Sequence, residues 1–89
     1  MGDQIQVFLF GSLKNNFNKS GQHPIPVTFR RPGPLGQVLD LLDIPHEQVH
    51  VAMINFKAVP RESIIFPGDR VSFFPREYPF FPDWKDLRF

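Results

Sequence analysis

His46 and His50 stand four residues apart, the spacing at which two imidazoles on one helix face can hold a metal ion. The run around them, IPHEQVH, does not supply that helix. Pro45 pushes the residue before it out of the α region and ends the helix, and Val49 opens a β pattern. No third ligand accompanies the pair, so no metal site is expected. Asp40 and Asp43 fall on or near the polar side of the preceding helix and read as solvated carboxylates, not an acid–base pair. Four serines and three histidines offer no nucleophile–base context. Cysteine is absent, which removes disulfides, thiolate ligands and a thiol nucleophile. The expectation is a protein that is not an enzyme and uses no cofactor.

The elements that position these residues fit in one domain, because 89 residues leave no room for two cores. A domain this small buries only about 60% of its unfolded-chain surface, and without disulfides it must rely on packing. Eleven Phe supply much of the apolar volume. Ten basic and nine acidic residues leave a net charge of +1, so a strong phosphate-attracting field is absent and nucleic-acid binding is not indicated. No apolar run approaches the roughly 20 residues that cross a bilayer. The start, MGDQIQ, has neither the basic nor the apolar region of a signal peptide. A cytoplasmic protein without membrane attachment is the expectation.

In Gln4–Phe10 (QIQVFLF), Ile5, Val7 and Leu9 alternate onto one face, the pattern of a strand, and the segment then turns fully apolar. Gly11–Gln22 is rich in Asn, Ser and Gly and reads as a turn and loop. Ile25–Arg31 is a second strand whose Pro26 argues that its beginning lies at a sheet edge or outside the ladder. Gly33 suits an N-cap and Pro34 a first helical position. Leu35, Val38, Leu39 and Leu42 then form one helical stripe. Val49–Asn55 alternates again, with Val49, Val51 and Met53 on one side and Ala58–Val59 as a short partner. Ile64, Ile65 and Phe66 are expected to plug the core edge. Gly68 supplies a positive φ in a turn before the last strand, Arg70–Phe74. A hairpin, a helix and strands returning to the same sheet define an α+β roll: one helix across a mixed, mostly antiparallel sheet, in β-grasp order.

Three stretches carry a family resemblance. IQVFLFGSLK at Ile5–Lys14 resembles the first strand of the ubiquitin-like sulfur carriers MoaD (the small subunit of molybdopterin synthase) and ThiS (the thiamine sulfur carrier). LGQVLDLLDIPHEQVHVAMIN at Leu35–Asn55 resembles their helix and central strand. FPGDRVSFFP at Phe66–Pro75 resembles their Gly-Asp-x-Val turn and last strand. The same residues are similar to the ubiquitin-like domain that precedes a family of PIN-like RNase domains. The resemblance covers residues 5 to 75 and implies the ubiquitin-like β-grasp fold. It departs from the carriers twice. Phe56 replaces the glycine that usually follows the central-strand Asn, so that turn is expected to be reshaped, with Phe56 either on the surface or folded onto the core edge. The carriers end in Gly-Gly, whose carboxylate is adenylated and converted to a thiocarboxylate. Here Gly68 is the last glycine and no Gly-Gly pair occurs, so carrier chemistry is expected to be lost.

Residues 1–75 therefore read as the β-grasp domain and 76–89 as a Pro/aromatic extension. From Pro75 onward come three prolines and five aromatics, which favour an extended path. Burying Tyr78, Phe80, Phe81 and Trp84 would contribute ~8 kcal/mol, against ~15 kcal/mol for ordering the segment's backbone. Three fates stay open: partial docking on its own sheet, ordering against a protein partner or second copy, and disorder. Asp83–Phe89 adds a possible helical turn capped by Asp83. Phe56, Tyr78, Phe80, Phe81, Trp84 and Arg88 are the candidate partner-binding residues, being of the types that dominate interfaces. Arg30-Arg31 and Lys57 with Arg61 could form a basic patch, although such charges mostly solvate a face. The leading expectation is a non-enzymatic protein-interaction module with an apolar sheet face. The alternatives are a sulfur carrier with an unusual C-terminus and an RNA-associated module.

Overall fold

The computed structural model describes residues 3–18 and 21–76. The chain runs β1 (Gln4–Leu9), α1 (Ser12–Phe17), β2 (Ile25–Thr28), β3 (Gly33–Pro34) and α2 (Leu35–Leu41). After a 3-10 turn at His46–Gln48 come β4 (Val51–Ile54), β5 (Lys57–Val59), β6 (Ile64–Ile65) and β7 (Arg70–Phe74). Five strands form one sheet in the order β2-β1-β7-β4-β5, and β3 pairs with β6 in a separate two-stranded ladder. Among the described residues, only the β1–β7 pair is parallel; the other pairings are antiparallel. This is the expected α+β ubiquitin-like roll. Pro26 lies opposite Gln6 on the edge strand β2, where its missing N–H costs no ladder bond.

Alternation sorts the strands into two faces. Ile5, Val7 and Leu9 of β1, Val71 and Phe73 of β7, and Ala52 of β4 turn to one side and are fully buried with Leu35, Val38 and Leu39 of α2. Each such side chain contributes roughly 1.5–3 kcal/mol when fully buried. No polar or charged side chain lies in this core among the described residues, so it is an apolar jigsaw with no internal network to satisfy.

Several expectations are corrected. The polar stretch after β1 is not all loop: Ser12–Phe17 is helical, with Leu13 fully buried and Phe17 packed on the core four residues later. Two apolar residues at helical spacing secure one turn against the sheet despite poor propensity. Gly33 is not the N-cap of α2. It belongs to β3, where a Cβ would stand 2.7 Å from Gln37 Oε1 and 3.2 Å from the Phe29 ring. The cap falls on Pro34, and the Ser63 carbonyl accepts the Leu35 N–H at 2.9 Å, so the β3–β6 bridge does the capping.

Helix α2 stops before Pro45 acts. Asp43 takes φ 57°, its N–H donates to the Asp40 carbonyl (3.2 Å) and the Ile44 N–H to the Leu39 carbonyl (2.9 Å). That is a Schellman closure, with Asp where glycine is usual and with Ile44 buried behind it. Val49 caps the 3-10 turn and joins the core, whereas Val51 and Met53 point to the opposite face; the bend at His50 breaks the alternation expected over Val49–Asn55. Of the three residues expected to plug the core edge, only Ile65 is buried; Ile64 and Phe66 flank it and are about half exposed, as β alternation requires.

Candidate functional site

The face of the sheet away from α2 is lined differently. Phe8 and Phe10 from β1 and its end, Arg70, Ser72 and Phe74 from β7, Met53 from β4 and Phe56 from the β4–β5 turn enclose a groove of about 260 Å³. The register builds it: Phe8 lies beside Ser72, and Met53 lies opposite Ser72 on the other side of β7. Ser72 is thus the floor, and the larger side chains around it are the walls. Phe10 and Phe74 stack face to face at 4.6 Å between centroids with planes 7° apart, a geometry worth ~1 kcal/mol beyond area burial. His23 closes the β2 side, edge-on to Phe8 (5.5 Å) and Phe10 (6.1 Å), with its Nε2–H donating to the Leu9 carbonyl at 3.1 Å.

Phe56 forms the opposite rim. The expected reshaping of its turn does not occur. Ile54 pairs with Lys57, leaving a two-residue loop in which Asn55 (φ 51°) and Phe56 (φ 71°) both have positive φ, as a type I′ hairpin turn requires. A left-handed phenylalanine costs ~1–2 kcal/mol. The cost is offset around Asn55, whose Oδ1 accepts the Arg70 N–H (2.9 Å) and whose Nδ2 donates to Asp69 Oδ1 (3.1 Å). Asp69 Oδ2 in turn accepts the Phe66 N–H (2.9 Å), so two neighbouring turns are tied together. Phe56 remains 78% exposed, with the Arg70 guanidinium 5.7 Å from its ring centroid. Strain held at an exposed aromatic is the kind of observation that points to function.

Of the residues singled out from sequence, Phe56 alone lies in this groove; Tyr78, Phe80, Phe81, Trp84 and Arg88 lie outside the described residues. Phe8, Phe10, Met53, Ser72 and Phe74 were not anticipated. Their signal is the breakdown of alternation in QVFLF and RVSFF, where both faces of a strand are apolar at once. The histidine pair does not converge. His46 Nε2 lies 2.8 Å from Asp40 Oδ1 on the helix side, and no group of three metal-ligating side chains occurs among the described residues. Of the second basic pair, Arg61 reaches α2, its Cγ 3.9 Å from where a Gly36 Cβ would stand, and only Lys57 is set apart. Arg30 and Arg31 follow β2 and line a polar cleft of about 450 Å³ with Gln37, while Lys57 opens β5 at the opposite edge of the sheet. No helix among the described residues is long and apolar enough to cross a membrane.

No curated protein and no solved structure matches the chain. The β-grasp topology has its counterpart in one family model, described as Mut7-C ubiquitin, which matches residues 2–80. With nearly the whole chain covered and the ubiquitin-like sheet in place, the protein belongs to the Mut7-C ubiquitin family.

Proposed function

We propose that this chain is a non-enzymatic docking module whose open sheet face receives a protein partner. The observation that carries the reading is the composition of the groove. Aromatic residues, Met and Arg are enriched at protein interfaces and supply their hot spots, and here they converge around a serine floor. The partner would present apolar side chains to Phe8, Phe74 and Met53 and a hydrogen-bond acceptor to Arg70. Phe56, held exposed at a conformational cost, would insert into it.

The carrier reading draws on the same β-grasp body. Against it, the glycine position after Asn55 is filled by Phe56. An RNA-associated reading needs a continuous track of cations, whereas Lys57 opens the edge strand β5, across the sheet from the edge strand β2 that Arg30 and Arg31 follow.

The test is quantitative co-purification from the native cells, comparing the natural chain with Phe56→Ser/Ser72→Lys and with a helix-side control, Gln37→Glu. Proteins retained by the control and lost with the groove variant support the docking reading. Equal recovery with all three overturns it. An intact mass showing a sulfur-bearing or conjugated terminus would favour the carrier reading, and RNA binding that weakens steeply with salt the third.

A further inference from the structure

We infer that the partner docks through an extended segment in which an acidic side chain and a large apolar side chain stand two residues apart. The carboxylate pairs with Arg70, and the apolar group fills the notch above Ser72. The inference rests on the reading of that face as a docking surface and names the chemistry the face selects.

The strands set the spacing. Seen from the open side, the face is a ladder of rungs along β7. Gln6 stands beside Arg70, Phe8 and Met53 flank Ser72, and Phe10 and Phe74 close the far end with their stacked rings. Successive rungs are two residues apart, about 6.7 Å. The same-side side chains of an extended peptide repeat at that interval, whereas a helix turns once per ~5.4 Å and falls out of step. The middle rung has a gap, because Ser72 is the small side chain between two large ones. With strands ~4.8 Å away on either side, that gap admits one apolar side chain. The groove's volume of about 260 Å³ falls short of the ~300–1,000 Å³ of small-molecule pockets, which suits side chains presented by a larger chain. Arg70 sets the charge. Among the described residues that line the groove it alone is charged. Its structural duties fall to its backbone: the N–H donates to Asn55 Oδ1 (2.9 Å) and the carbonyl accepts the Asn55 N–H (2.8 Å). The neighbouring Asp69 is committed elsewhere, Oδ1 to Asn55 Nδ2 and Oδ2 to the Phe66 N–H. The exposed guanidinium is left with the Phe56 ring, a contact that holds the charge at the rim without using its N–H donors. A fork of donors beside an apolar notch matches a carboxylate, which it can bind through two parallel hydrogen bonds.

The test is selection from a linear random-peptide library displayed on phage, run against the natural chain, Arg70→Glu and Ser72→Lys, with far-UV circular dichroism to show that each variant is folded. The natural chain should enrich Asp or Glu two positions from Leu, Ile, Met or Phe. Arg70→Glu should select Lys or Arg in the acid's place and keep the apolar residue, a swap that no folding defect can imitate. Ser72→Lys should lose the apolar preference. In an enriched peptide, exchanging the acid for its amide should weaken binding to the natural chain about tenfold and leave the affinity for Arg70→Gln unchanged. Enriched sequences without an acid, or the same sequences with Arg70→Glu, overturn the inference. If those sequences still fail on Phe56→Ser/Ser72→Lys, the docking reading stands without it. A selection that yields nothing overturns the extended segment, while co-purification, which needs no linear epitope, decides the docking reading separately. Peptides that bind the natural chain, Arg70→Glu and Ser72→Lys alike place recognition off this face and overturn both.

Discussion

The two faces of the sheet are made from the same strands, residue by residue, and obey different rules. Toward α2 the side chains are mostly aliphatic and fully buried: Ile5, Val7, Leu9, Val71, with Phe73 among them. Away from it the neighbours in sequence are Phe8, Phe10, Ser72 and Phe74, half-buried around a groove. Branched aliphatic residues fill an interior with few rotamers and no polar edge. Aromatic rings give a large contact area with little side-chain entropy to lose. A side that must only stay closed and a side that must receive something therefore select different residues, even at positions i and i+1 of one strand.

The sharpest way to break this contrast is at adjacent phenylalanines. Phe73→Ala should cost ~3–5 kcal/mol of stability, because it opens a cavity in a close-packed core. Phe74→Ala loses a stacking partner and partial burial and should cost clearly less. Urea midpoints of the two variants check this, and similar losses would erase the distinction between the faces.

The next test uses two turns, one serving each face. Phe56 and Asp43 both hold positive φ where glycine would be unstrained. Phe56→Gly should raise stability by up to ~1 kcal/mol while weakening partner capture, the signature of strain kept for recognition. Asp43→Gly should stabilise by about 0.5 kcal/mol through the same relief and leave partner capture unchanged, since its turn only closes α2. Thermal melts paired with the co-purification assay separate the two outcomes.

How much of this was legible in the sequence follows from the same contrast. The closed face was readable because burial imposes period: Ile5/Val7/Leu9 and Leu35/Val38/Leu39 announce a strand and a helix, and Pro26 announces an edge. The open face imposes no period of its own. It is assembled across β1, β7, β4 and a turn, so its members are 64 positions apart in sequence between Phe8 and Ser72, and only the excess of Phe in two strands hints at it. Helix α1 is hard to read because its Asn-rich sequence has low propensity and only Leu13 and Phe17 betray it. Phe56 stands out in the sequence as a substitution for glycine, but the turn's persistence depends on Asn55, Asp69 and Arg70, a constellation set by tertiary pairing.

The parallel pairing of β1 with β7 has a consequence for how the module comes into being. Gln6 must find Arg70 before the centre of the sheet exists, so closing that long loop makes folding a late, collective event with much of its entropy cost in one step. The groove straddles this seam, with Phe8 and Phe10 contributed by the first strand and Arg70, Ser72 and Phe74 by the last. No fragment that stops short of Phe74 can display it. Whatever recognises this surface recognises finished folding, and a nascent or unravelled chain is invisible to it.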